Sequence, residues 1–137
     1  LALLPAFLQQ LMMESNGKSV DKNGEQVDYM TCPVVFGQAG SNAQHAFFQQ
    51  LHQGPEVVPS EFIVPLQAAE ADEALAPGQH KLLVAHAAAQ SAALLHGRES
   101  ADWHRRYAGN RPSTTIWFDR LTPRNLGRLL ALYEHRV

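Results

Sequence analysis

Glu56-Val57-Val58-Pro59-Ser60-Glu61-Phe62-Ile63-Val64-Pro65, a helix-patterned stretch over residues 79–96, and then Ser113-Thr114-Thr115-Ile116-Trp117-Phe118 decide the fold of this chain. The outer two segments are rich in β-branched and aromatic residues, which fit a pleated, half-buried surface and read as strands. Between them Leu82, Leu83, Ala87, Ala88, Ala92 and Leu95 recur at helical spacing as the expected inward face, and Gly97 supplies the stop. Strand, helix, strand is the crossover that parallel pairing requires. The alternation predicts an α/β fold with a mainly parallel sheet flanked by helices.

Working outward, residues 1–13 carry Leu3, Leu4, Phe7, Leu8, Leu11 and Met12 at three- and four-residue spacing, one apolar helix face that ends near Glu14. Ser15-Asn16-Gly17 is a turn signal, and Asn23-Gly24 is a second one, flanked by segments that suit a small β-hairpin. Pro33-Val34-Val35-Phe36-Gly37 is a short apolar run between turn residues, expected to be a buried strand. Ser41 or Asn42 is expected to cap a helix through about Gln53, with Ala43, Ala46, Phe47 and Leu51 inward and Gly54 just past its end. An alanine-rich connector closes with Ala76-Pro77-Gly78. Residues 98–112 read as a loop with a short helix at 101–107, and Thr122-Pro123 as a helix start with Thr as cap.

The chain has 137 residues, room for one domain with a real core. Its 45% hydrophobic and 18% charged residues are ordinary for a globular chain. A net charge of −2 without a basic run provides no general attraction to nucleic acid or to anionic membranes. No apolar stretch approaches the ~18 residues that span a bilayer, and Leu1-Ala2-Leu3-Leu4-Pro5 lacks the basic region of a secretory signal. Cys32 is the single cysteine, so no internal disulfide forms; the expected compartment is the cytoplasm. Residues 128–137 keep helical apolar spacing to the end without a stop signal, so the chain is expected to be a piece of a longer protein.

Two residues are candidates for chemistry. Glu14 stands at a predicted helix end beside a glycine turn, behind apolar Leu11, Met12 and Met13 that are expected to desolvate it. A fixed, partly desolvated carboxylate suits proton transfer between neighbouring carbons; the bland alternative is a solvated Glu in a turn. His45 is expected in the first turn of the helix after the bend at residues 37–42, where the helix dipole favours a neutral ring able to accept or donate a proton. The bland alternative is a surface histidine. The other six histidines show no ligand pattern, so no metal is expected. Cys32 lacks an activating neighbour, the 37–42 turn matches neither nucleotide-binding fingerprint, and Trp103-His104-Arg105-Arg106-Tyr107 reads as a packed loop.

The combination of Met13-Glu14-Ser15-Asn16-Gly17-Lys18 with Gln44-His45-Ala46-Phe47 resembles the glucose-6-phosphate isomerase (phosphoglucose isomerase) family. Phe7-Leu8-Gln9-Gln10, Val27-Asp28-Tyr29, His52-Gln53-Gly54, Gly109-Asn110-Arg111-Pro112, Leu121-Thr122-Pro123 and Ala131-Leu132-Tyr133-Glu134-His135 extend the resemblance over nearly the whole chain. The chain departs from the family at Gln38-Ala39, where Glu-Pro is usual, and at Cys32, where Gly is usual. The resemblance implies a sugar isomerase (SIS) type doubly wound fold. It implies aldose–ketose isomerisation of glucose 6-phosphate and fructose 6-phosphate through a cis-enediol, in glycolysis and gluconeogenesis, without metal or redox cofactor. It carries the isomerisation base over to Glu14, the ring opener to His45 and a substrate contact to Gln10. It also implies a homodimer whose composite sites each take the histidine from the neighbouring subunit. Residues 1–137 are then a single partial domain from the C-terminal half, lacking the upstream phosphate-binding half and the C-terminal tail, and are expected to be inactive alone. The alternative is a non-catalytic sugar-phosphate-binding regulator on the same sheet; such a binder would not need Glu14 and His45 together.

Overall fold

The computed structural model describes residues 1–69, 74, 76 and 78–137, so most of the alanine-rich connector lies outside the described residues. The chain forms two compact units, Gly40–Asn125 and Leu1–Ala39 with Leu126–Val137.

In Gly40–Asn125, strand β1 (Ser60–Gln67) and strand β2 (Ser113–Arg120) pair in parallel, with Ser60 opposite Ser113 and Gln67 opposite Arg120. Their side chains reinforce the end of the ladder, where Arg120 donates to Gln67 Oε1 at 3.0 Å. Helix α4 (Gln79–His96) is the crossover between them and packs on both strands. It is tied down by the Ser91 and Ser113 hydroxyls, 3.0 Å apart, and by the His80 ring, 2.8 Å from the Pro65 carbonyl. The expected strand–helix–strand unit is therefore present, with the helix bounds as predicted and β1 displaced towards its C-terminal side.

Which face of α4 turns inward was not as expected. Leu94 is the buried residue of this helix, whereas Leu82, Leu83 and Leu95 are 63%, 46% and 59% exposed. Alanine and leucine surround this helix almost evenly, so apolar spacing selects no single face.

Ahead of β1 lie two short helices, α2 (Gly40–Ala46) and α3 (Phe48–Gln53). The single helix expected through Gln53 is broken at Phe47, whose φ of −139° is not helical. Helix α2 also starts at Gly40, so Ser41 and Asn42 lie within its first turn instead of capping it. Ala43, Phe48, Leu51 and Leu94 form the core here, with Phe47, Val58 and Phe62 packed against it. Ala46, expected inward, is exposed.

In the other unit, α1 (Leu4–Leu8) runs into a π-helical segment, Gln9–Glu14. Leu4, Leu8 and Met12 face inward at four-residue spacing. The hairpin survives as one antiparallel bridge between Val20 and Gln26, around a turn in which Asp21 Oδ1 accepts from the N–H groups of Asn23 and Glu25 at 2.8 and 2.9 Å. Residues 33–37 are not the expected buried strand: Val34 is 76% and Phe36 46% exposed. A strand exists only by pairing, and the Val35 backbone is taken by side chains instead. Its N–H bonds Met13 Sδ at 3.3 Å and its carbonyl accepts from Gln9 Nε2 at 3.0 Å. Residues 126–134 of helix α5 (Pro123–Glu134) belong to this unit, with Leu129 and Tyr133 buried. As expected, Thr122 caps it: its hydroxyl accepts from Asn125 N–H at 3.2 Å.

Candidate active site

Glu14 is the last residue of the π-helical segment, after which Ser15 and Asn16 complete the helix. A π turn bonds i→i+5, is rare, and recurs at functional positions. Gln10 lies one turn earlier in the same segment. The expected desolvation is not supplied by the preceding apolar run: Met12 is buried and Leu11 and Met13 are half-buried, but Glu14 and Gln10 are exposed. Among the described residues of the unit, no side chain bonds the Glu14 carboxylate.

The turn after Glu14 is tight. Gly17 N–H donates to the Met13 carbonyl at 2.9 Å, and Lys18 N–H to that of Asn16 at 2.8 Å. Sequence reasoning passed over Lys18. Its ammonium donates to the main-chain carbonyls of Glu14 and Ser15 at 2.7 and 3.1 Å. The available signal was a lysine just past a helix end, a familiar partner for the final carbonyls.

His45 is exposed and belongs to the last turn of α2, not the first turn of a longer helix. The early start at Gly40 and the break at Phe47 reverse its place in the helix. His45 is therefore not at the positive end of the helix dipole, where a neutral ring was expected.

The remaining candidates have structural partners. Tyr107 lies against His52 with ring centroids 5.1 Å apart and the rings tilted by 33°, and His52 Nε2 lies 3.4 Å from Gln90 Oε1. Gln53 Nε2 donates to the carbonyls of His104 and Arg106 at 3.1 and 2.6 Å, while Arg106 pairs with Glu99 at 3.3 Å and lies over Trp103. The Trp103–Arg105 turn is bonded but not the packed loop expected: Trp103 is 77% exposed and His104, Arg105 and Arg106 are exposed too. Cys32 is half-buried, with its thiol donating to the Pro33 carbonyl at 3.2 Å. Among the described residues no group of three His, Cys, Asp or Glu side chains is arranged to hold a metal, and no helix is long and apolar enough to cross a membrane.

Comparison with known proteins decides the affiliation. The family profile described as phosphoglucose isomerase matches residues 1–137. The chain belongs to the phosphoglucose isomerase family. It is 56% identical over 137 residues to a glucose-6-phosphate isomerase of Sphingopyxis alaskensis, covering 100% of this chain and 27% of that protein. It is 54% identical over 133 residues to one of Albidiferax ferrireducens, covering 97% of this chain and 25% of that protein. The crystal structure of a glucose-6-phosphate isomerase from Chlamydia trachomatis superposes with a TM-score of 0.85 at 42% identity, over 96% of this chain and 26% of that one. The chain thus spans about a quarter of the length of these phosphoglucose isomerase relatives. Its mixed α/β architecture, a parallel sheet flanked by helices, is that of the family.

Proposed function

We propose that the full-length protein is a glucose-6-phosphate isomerase, interconverting glucose 6-phosphate and fructose 6-phosphate through a cis-enediol. The observation that carries this reading is the family match over the entire chain, at better than half identity to relatives of that name. The Glu14 carboxylate removes the C2 proton of the open-chain aldose and returns a proton to C1, while the O2 hydroxyl proton passes to O1 and the carbonyl moves from C1 to C2. His45 donates a proton to the ring oxygen as the ring opens, and Gln10 contacts the substrate. Oxidation at C2 balances reduction at C1, so the step needs no external oxidant or reductant. Support for a directed role of Glu14 comes from its place at the end of a π turn whose following loop is closed by Gly17 and Lys18. The same reading includes a cytoplasmic homodimer in which His45 serves the neighbouring subunit's site, and phosphate-binding groups contributed from outside residues 1–137.

The test is sugar-phosphate turnover by the full-length protein and its Glu14→Gln variant. Loss of about 10²–10⁴-fold in kcat with substrate still bound is expected from removal of an acid–base group. A variant retaining most of its rate would remove Glu14 from this role. An inactive wild type that binds sugar phosphate would make the protein a regulator and not an enzyme.

A further inference from the structure

The helix that carries Glu14 is closed, just past it, by a single long side chain. The Lys18 ammonium reaches back to the carbonyls of Glu14 and Ser15, at 2.7 and 3.1 Å. Carbonyls at a helix end lack intrahelical partners and carry the negative end of the helix dipole, so a lysine ammonium satisfies them both by hydrogen bonding and by charge. Lys18 is itself held at its main chain. Its carbonyl accepts from the Thr31 hydroxyl at 2.9 Å and its N–H donates to the Asn16 carbonyl at 2.8 Å. Next to it, a Cβ at position 17 would overlap the Met13 carbonyl oxygen, so Gly17 lets the chain bend back this closely. The result is a staple anchored at both ends across the peptide groups of Glu14 and Ser15.

Resting on the isomerase reading above, we propose that Lys18 is a positioning residue for the base: it fixes the Glu14 main chain and with it the direction of the Glu14 side chain. The need arises because the Glu14 carboxylate is exposed and bonds no side chain of its own unit, so its aim within that unit depends on the backbone. A π turn contains one more residue than an α turn, and relaxation to α geometry would rotate Glu14 about the helix axis. Misplacement by about 1 Å can cost on the order of 10²-fold in rate. Lys18 acts through Glu14, so removing it slows proton transfer and leaves substrate affinity nearly unchanged.

The experiment uses the full-length protein as wild type, K18M, K18R, E14Q and the double variant E14Q/K18M. It measures kcat, KM, thermal unfolding, and the primary isotope effect with glucose 6-phosphate deuterated at C2. For K18M the expected result is a kcat lower by about 10–100-fold, with KM changed by less than about threefold. The isotope effect should rise and the unfolding temperature should stay that of wild type. K18R keeps donors within reach of both carbonyls and should restore most of the rate. The double variant should be no slower than E14Q, because a residue acting only through Glu14 has nothing left to act on. The proposal is overturned by a K18M kcat within about twofold of wild type, by a rise in KM that accounts for the loss, by an unchanged isotope effect, or by a clear drop in unfolding temperature. An additional slowdown of the double variant would overturn it too. Failure of the isomerase reading looks different: wild type would then show no turnover, and the Lys18 proposal would fall with it.

Discussion

Gly97 and Gly109 meet backbone to backbone at the C-terminus of α4. A Cβ on Gly109 would lie 2.8 Å from Gly97 N and from the His96 carbonyl carbon, and one on Gly97 would overlap the Tyr107 carbonyl oxygen. Both have positive φ, 67° and 71°. This close approach lets the loop cap the helix: Asn110 and Arg111 N–H groups donate to the carbonyls of Leu95 and Leu94 at 2.8 and 3.0 Å.

Gly109→Ala should therefore be costly. A side chain at left-handed φ adds strain, and the neighbouring atoms are backbone that cannot rotate away, for a total of about 2–4 kcal/mol. Urea unfolding followed by circular dichroism reads this as a lower midpoint with an unchanged slope. An unchanged midpoint would mean that the loop can separate from the helix at little cost.

Arg111, two residues on, clamps the exit of α3. Its guanidinium donates to the carbonyl of Gly54 at 2.8 Å and to that of Glu56 at 3.3 Å. Gly54 is buried, so removing the donor strands its carbonyl away from solvent. Arg111→Met should cost about 2–3 kcal/mol, since a charged hydrogen bond contributes roughly 1.5–3 kcal/mol. Arg111→Lys should recover part of it, because one ammonium does not reproduce the planar fork. The same unfolding experiment ranks the three proteins.

Asp119 gives the chain a definite pH response. The Arg120 main-chain N–H and the Asn125 amide, 2.7 Å away, hold its carboxyl below its ordinary value. A carboxyl depressed in the folded state contributes stability above its unfolded value and loses it as pH falls through the folded one. Asn125→Ala should raise the Asp119 titration midpoint read by carbon NMR, though not abolish the depression. The stability difference between variant and wild type should be largest near neutrality and shrink in acid.

Other local features show what the sequence made legible. Gly97, the Thr122-Pro123 start and the β-branched run at 113–118 act through local backbone chemistry, and each element they mark was found. Residues 33–37 failed because an apolar run says nothing about whether a pairing partner exists, and Val35 bonds Met13 and Gln9 side chains instead. The break at Phe47 failed for a related reason: no Gly or Pro marks it, and Phe48 is buried in the core on its far side. That break moved His45 to the opposite end of its helix. The π winding before Glu14 was not readable either, because helix propensity does not separate i→i+4 from i→i+5 bonding. The identities of Glu14, His45 and Gln10 came from motif resemblance, not from periodicity.

The separate roles proposed for Glu14 and His45 predict opposite isotope effects. In Glu14→Asp the carboxylate is withdrawn by one methylene, proton transfer becomes slower than ring opening, and kcat falls by about 10²-fold or more. Deuterium at C2 of glucose 6-phosphate should then exert its full effect on kcat. In His45→Ala the ring opener is lost, with a decrease of about 10²–10⁴-fold in kcat. Ring opening breaks no C2–H bond, so the isotope effect should collapse towards one when that step limits turnover. Measuring both variants of the full-length protein with protiated and deuterated substrate separates the two roles even if the rates fall equally. A large isotope effect in His45→Ala would place His45 in proton transfer at carbon, and a vanishing one in Glu14→Asp would remove Glu14 from it.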